Sequence, residues 1–125
     1  MNKLRPNIEE CEKLLRALVR TDTSQPAGNE GMLADWILKE LQGKDSSGIL
    51  EYSFLEHGGK RGSLVVKIKG RREGKGTAFA GHLDTVACEA DKDWIYAPLN
   101  AAVENGILYG RGAPDMKGGV AAMVL

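Results

Sequence analysis

The sequence predicts an α/β fold, and three observations carry that expectation. Apolar residues recur at helical spacing in two early segments. The pattern changes to period two in the middle of the chain, and a glycine-rich stretch near the end runs into a further apolar helix.

The first helix is marked by Ile8, Cys11, Leu14, Leu15, Leu18 and Val19, which share one face. Asn7 is its expected N-cap, and Glu9 and Glu10 lie in the first turn, where the helix dipole favours acids. Residues 21–28 are rich in Thr, Ser, Pro and Gly and read as a loop. A second helix follows, with Asn29 as cap, Met32, Leu33, Trp36, Ile37 and Leu41 on its apolar face, and Gly43 as its end. Residues 49–55 and 63–69 read as strands, the latter setting Leu64, Val66 and Ile68 against Lys67 and Lys69. Residues 70–76 form a charged turn. Residues 77–81 are short and apolar and are expected to be a buried strand delivering His82, Asp84 and Thr85 at its carboxyl end, where ligands gather in open α/β sheets. Residues 87–105 read as irregular, residues 107–109 as a brief strand, and residues 110–119 as a loop entering a helix near Met116 that carries Val120, Met123, Val124 and Leu125.

The chain has 125 residues, about one small domain, with 42% hydrophobic and 27% charged residues, which is ordinary globular composition. Lys plus Arg and Asp plus Glu number 17 each, so net charge gives no reason to expect a polyanionic partner. The basic cluster Lys67, Lys69, Arg71, Arg72 and Lys75 is explained by strand alternation followed by a turn, and nucleic-acid binding is not expected. Cys11 and Cys88 form no C-x-x-C pair and are too few for a disulfide scaffold. The first six residues lack an apolar signal core, and no stretch approaches the ~20 apolar residues of a membrane helix. A soluble, cytoplasmic protein without membrane partners is the expectation.

Two stretches carry chemistry. In Gly81-His82-Leu83-Asp84-Thr85-Val86, residues two apart in an extended chain point the same way, so the Asp84 carboxylate can hold one ring nitrogen of His82 while the other binds a metal. Alone, H-x-D is a weak signal, because a lone histidine is more often a surface or core residue. In Gly110-Arg111-Gly112-Ala113-Pro114-Asp115-Met116-Lys117-Gly118-Gly119, the glycines allow a tight loop that aims Asp115 at the same place. The bland alternative is a turn in which Asp115 caps the last helix. A nucleotide loop fits less well, since Asp115 stands where G-x-G-x-x-G needs glycine.

Taken with Trp94, Pro98 and Asn105-Gly106, these two stretches resemble the N-terminal signatures of the co-catalytic zinc amidohydrolases. That family includes acetylornithine deacetylase, succinyl-diaminopimelate desuccinylase, aminoacylase and carboxypeptidase G. The resemblance implies the N-terminal part of a three-layer αβα catalytic domain: two helices, then a mixed sheet, ending in a helix. It implies His82 as a zinc ligand, Asp84 as the catalytic-site carboxylate that orients His82, and Asp115 as the carboxylate bridging two zincs. Imidazole and carboxylate suit Zn²⁺, and Co²⁺ or Mn²⁺ suit the same donors. The implied substrate is an N-acyl amino acid or short peptide, hydrolysed at an amide bond. Ala87 stands where such sequences often have Pro, and Asn105 where they often have Asp; neither holds a metal.

By the same resemblance, the family's Glu-Glu pair, later carboxylate ligand, final His and lid domain have no counterpart in residues 1–125. The expectation is therefore a partial catalytic domain, inactive alone and associating into a homo-oligomer. The alternative is a non-catalytic α/β unit that serves binding or assembly. Arg111 and Lys117 read equally as structural residues or substrate contacts.

Overall fold

A computed structural model describes residues 7–89 and 94–125. The N-terminal hexapeptide, and residues 90–93 of the stretch expected to be irregular, lie outside the described residues. The element order is α1 (Ile8–Arg20), α2 (Glu30–Lys44), β1 (Leu50–Glu56), β2 (Gly62–Ile68), β3 (Ala102–Glu104), β4 (Ile107–Tyr109) and α3 (Gly118–Val124). The chain thus has the expected α/β order, with two helices, then strands, then a helix.

Asn7 caps α1 as its side chain predicts, accepting hydrogen bonds from the backbone of Glu9 and Glu10. Asn29 does not cap α2 in that way. Its amide instead donates to the Asp22 carbonyl at 2.9 Å, tying the helix start to the preceding loop. Gly43 does not end α2, which runs one residue further and stops at Asp45. There the Asp45 carboxylate accepts from the backbone N–H groups of Ile49 and Leu50, both at 3.1 Å, and so sets the turn into β1.

Leu14 and Leu18 of α1, Leu33 and Ile37 of α2, and Val120 and Ala121 of α3 form one buried cluster. Leu64 of β2 and Leu83 pack on its rim. Each such large side chain contributes roughly 1.5–3 kcal/mol by leaving water. The early helices and the last helix therefore share a core, although more than half of the chain lies between α2 and α3. Among the described residues no helix is long and apolar enough to cross a membrane.

The strands form two antiparallel pairs, β1 with β2 and β3 with β4. The β3–β4 hairpin turns on Asn105 and Gly106, both at positive φ (51° and 78°). Two such residues make the type I′ turn whose twist suits a two-residue hairpin, and Asn-Gly is its favoured sequence. β3 thus lies within residues 87–105, which were expected to be irregular.

Residues 77–81 depart from expectation: they form no strand and are exposed, Phe79 at 78%. Apolar character alone makes no ladder, and among the described residues no neighbouring strand lies alongside this segment. Pairing begins only at Thr85, which makes a parallel bridge with Ser24 in the α1–α2 loop. The last helix begins at Gly118, after an irregular turn, rather than at Met116.

Candidate metal centre

Three separate segments meet at the site. The loop after α1 lies beside residues 83–85. Thr85 N–H donates to the Thr23 carbonyl at 3.1 Å, Gln25 N–H donates to the Thr85 carbonyl at 2.9 Å, and the Thr23 hydroxyl donates to the Leu83 carbonyl at 2.6 Å. Buried Thr23 and Thr85 thus satisfy one another's segments.

The third segment is the glycine-rich loop. Gly110 lies so close to Val19 that a Cβ would collide with its side chain. Gly112 has φ +77°, and a Cβ there would sit 2.5 Å from Thr85 Cγ2. The loop therefore presses directly against α1 and against the H-x-D segment. Beyond it, the irregular turn Ala113–Lys117 projects Asp115, whose φ and ψ (−131° and 94°) are extended rather than helical. α3 starts at Gly118 with Lys117 at its N-cap position, and the Asp115 carboxylate faces His82, so Asp115 is not the helix cap that the bland alternative supposed. Lys117 anchors the turn: it is only 1% exposed, and its ammonium donates to the Thr21 carbonyl at 2.8 Å. Burial pulls this ammonium down to about 8, against the nearby Cys88 and Asp22, which favour its charge. Lys117 is accordingly a structural clamp here rather than a substrate contact.

His82, Asp84 and Asp115 come together. His82 Nδ1 lies 2.9 Å from the Asp84 carbonyl oxygen and 3.2 Å from Asp84 Oδ1. The backbone thus shares a role that the sequence assigned to the carboxylate alone. His82 Nε2 lies 3.0 Å from Asp115 Oδ1. The Asp115 carboxylate lifts His82 above the ordinary imidazole value, opposed by partial burial and helped by the Asp84 carbonyl and carboxylate. Asp84 is held below the usual carboxylate range, chiefly by a hydrogen bond from Gln25 and against its own partial burial.

The three side chains face an open cleft of about 420 Å³ that is also lined by Trp94, Arg111 and Pro114. Arg111 stacks over the Trp94 ring, 4.9 Å from guanidinium carbon to ring centroid. Ligand atoms bind Zn²⁺ at roughly 2.0–2.2 Å, so an imidazole nitrogen and a carboxylate oxygen 3.0 Å apart can share one ion. Among the described residues no group of three or more His, Cys, Asp or Glu side chains is arranged to hold a metal ion. The donor set seen here is therefore a pair, with Asp84 behind it. Gln25 and Lys117 support this pair from a distance in sequence. Gln25 carried no signal in the sequence, since its partner Asp84 lies 59 residues away.

Residues 78–125 match the model of peptidase family M20/M25/M40. A 47-residue stretch is 55% identical to the succinyl-diaminopimelate desuccinylase of Pseudoalteromonas translucida (strain TAC 125). That stretch covers 38% of this chain and 12% of the relative, so the chain matches only a small part of the relative's length.

Proposed function

We propose, from the match of residues 78–125 to peptidase family M20/M25/M40, that the whole protein is a metal-dependent hydrolase cleaving the amide bond of an N-acyl amino acid or short peptide. In this reading the described residues are the N-terminal part of its catalytic domain. The observation that carries it is the convergence of His82 Nε2 and Asp115 Oδ1 at 3.0 Å, from segments 33 residues apart, with the other ring nitrogen of His82 held by Asp84. The similarity to a desuccinylase supports the substrate class.

The residues of this chain act by holding and orienting. His82 and Asp115 would hold Zn²⁺, Asp115 serving as the carboxylate shared between two ions in the complete site. Asp84 keeps the Nδ1 proton of His82 in place, so that the Nε2 lone pair faces the cleft. Bound zinc would supply carbonyl polarisation and a hydroxide at neutral pH. Further donors would come from residues outside this chain, because a catalytic zinc takes about three protein ligands.

Two expectations test this. The chain alone is expected to bind zinc weakly, through His82 and Asp115, and to release no amine from a panel of N-acetyl and N-succinyl amino acids. Chelator competition and an amine assay with added zinc measure both. Turnover above a metal-free blank would show that the chain completes a site, for instance between two copies.

The second expectation is self-association. Among the described residues β1 and β2 form a sheet of only two strands, and Val65, Ile68 and Phe79 are more than half exposed. Unpaired strand edges and exposed apolar side chains favour association. Light scattering over a dilution series is expected to give a dimer or larger; a monodisperse monomer at high concentration would refute it.

A further inference from the structure

Gln25 lies in the loop between α1 and α2, and every polar atom of its side chain is engaged. Its Nε2 donates to Asp84 Oδ2 at 3.1 Å and to Glu30 Oε1 at 2.9 Å, while its Oε1 accepts from Arg61 Nη2 at 2.6 Å. The two ends of an amide have nearly the same shape, so only the partners decide which way it faces. Here they decide without ambiguity. Turned over, the amide would set its oxygen against two carboxylates and its NH₂ group against a guanidinium.

The surroundings are built to keep it so. The main chain of residues 23–25 is tied to residues 83–85 by the bonds described above. Arg61 is delivered by the β1–β2 hairpin, which closes onto the start of α2. Gly31 N–H donates to the Lys60 carbonyl at 2.9 Å, and a Cβ at Gly31 would sit 2.9 Å from that same oxygen. The hairpin reaches Gln25 because position 31 has no side chain. Glu30 Oε2 is buried without a hydrogen-bond partner, so the two donors of Gln25 and the charge of Arg61 are what this acidic pair relies on.

This divides the Asp84 carboxylate between two tasks. Oδ2 is held by Gln25, and Oδ1 is left on His82 Nδ1. A carboxylate released from Gln25 could rotate about its Cβ–Cγ bond and face His82 less directly. We propose that Gln25 is a positioning residue: its amide, oriented by Arg61, fixes the Asp84 carboxylate beside the Asp84 carbonyl at His82 Nδ1, which favours the proton there against the pull of Asp115 and presents Nε2 to a metal. The last step rests on the metal reading above, while the effect on His82 itself does not.

The chain has two histidines, and His57, bonded to Ser63 across the β1–β2 pair, serves as an internal control. Long-range ¹⁵N–¹H spectra of the metal-free full chain, recorded above both imidazole transitions, report each tautomer. In the metal-free wild type, Asp115 at Nε2 competes for the ring proton with the Asp84 carbonyl and carboxylate at Nδ1, and both tautomers of His82 are expected. Gln25→Leu is expected to raise the Nε2–H fraction of His82 and leave His57 unchanged. Gln25→Glu, with the same shape but acceptors in place of donors, is expected to shift it further; a role in packing alone would leave Gln25→Glu at the wild-type ratio. Zinc affinity, measured with zinc alone against a chelator, is expected to fall by about tenfold or less, short of the ~10–100-fold typical of losing a group that touches the ligand directly.

An unchanged His82 tautomer in both variants overturns the proposal. If the His57 signals collapse and so reveal unfolding, Arg61→Met decides instead. It is expected to shift the ratio the same way by less, and an unchanged ratio overturns the proposal. A wild type that binds no zinc, with a tautomer ratio that still responds to Gln25, would remove the zinc binding expected of this chain alone and leave the positioning role standing.

Discussion

Asp115→Ala in the whole protein is expected to abolish hydrolysis and to strip most of the bound zinc, whereas Asp84→Asn retains metal and loses about 10–100-fold in turnover. The two carboxylates differ in what they touch. Asp115 Oδ1 faces His82 Nε2 at the cleft, and its side chain is 86% exposed there, open to further donors. Asp84 lies behind the ring, 38% exposed, bonded to Nδ1 and to Gln25. Replacing Asp115 removes a donor that two ions would share. Replacing Asp84 with Asn leaves the His82 ring in place, because the Asp84 carbonyl still accepts from Nδ1. His82→Ala is expected to behave like Asp115→Ala. Metal content and turnover of the purified variants decide it, and an Asp115→Ala protein with full zinc and full activity would sink the assignment.

Gly112→Ala is expected to destabilise the fold strongly for so small a change. A non-glycine residue in left-handed backbone costs about 1–2 kcal/mol. Gly112 has φ +77°, and its Cβ would also meet Thr85 Cγ2 at 2.5 Å. Overpacking of that kind adds about 1–3 kcal/mol. Thr85 cannot easily retreat, since its backbone is bonded to Thr23 and Gln25 on the far side. The expected loss is about 3 kcal/mol, a fall in Tm on the order of 10 °C. Thermal unfolding followed by circular dichroism checks this. The paired change Gly112→Ala with Thr85→Ser, which removes the methyl group that is struck, is expected to recover the steric part but not the backbone part. Equal melting of Gly112→Ala and wild type would mean that the loop is not pressed against the H-x-D segment.

Much of the fold was legible because local physics wrote it. The spacing of Leu14, Leu18, Leu33 and Ile37 marks the buried faces of α1 and α2, and these residues line the core. Asn7 caps α1 because its side chain reaches only two and three residues ahead. The elements that were misread depend on partners. Residues 77–81 have the composition of a buried strand, but a strand exists only where a neighbour accepts its hydrogen bonds. The Asn105-Gly106 turn carries a local signal, but β3, which it joins to β4, lies within residues 87–105, whose composition reads as irregular. At the site, His82, Asp84 and Asp115 stood out by their motifs. Gln25 did not, since an amide in a Ser- and Pro-rich loop looks like any other until Asp84 and Arg61 arrive from far along the chain.

The Lys117–Thr21 hydrogen bond joins residues 96 positions apart, and the Thr23–Leu83 bond joins residues 60 apart. During synthesis, α2 and the β1–β2 hairpin can settle on each other as they emerge, whereas α1 packs chiefly on α3 and on the turn before it and waits with the loop that follows it. The loop after α1 has to wait. Its partners at 83–85 come much later, and its clamp at Lys117 later still. Closing such long loops costs entropy that nearby contacts do not face. The candidate site is thus the last part to assemble, and a ribosome that stalls before Lys117 would hold a nascent chain whose early helices lack α3 as a partner and whose His82 lacks its anchored loop.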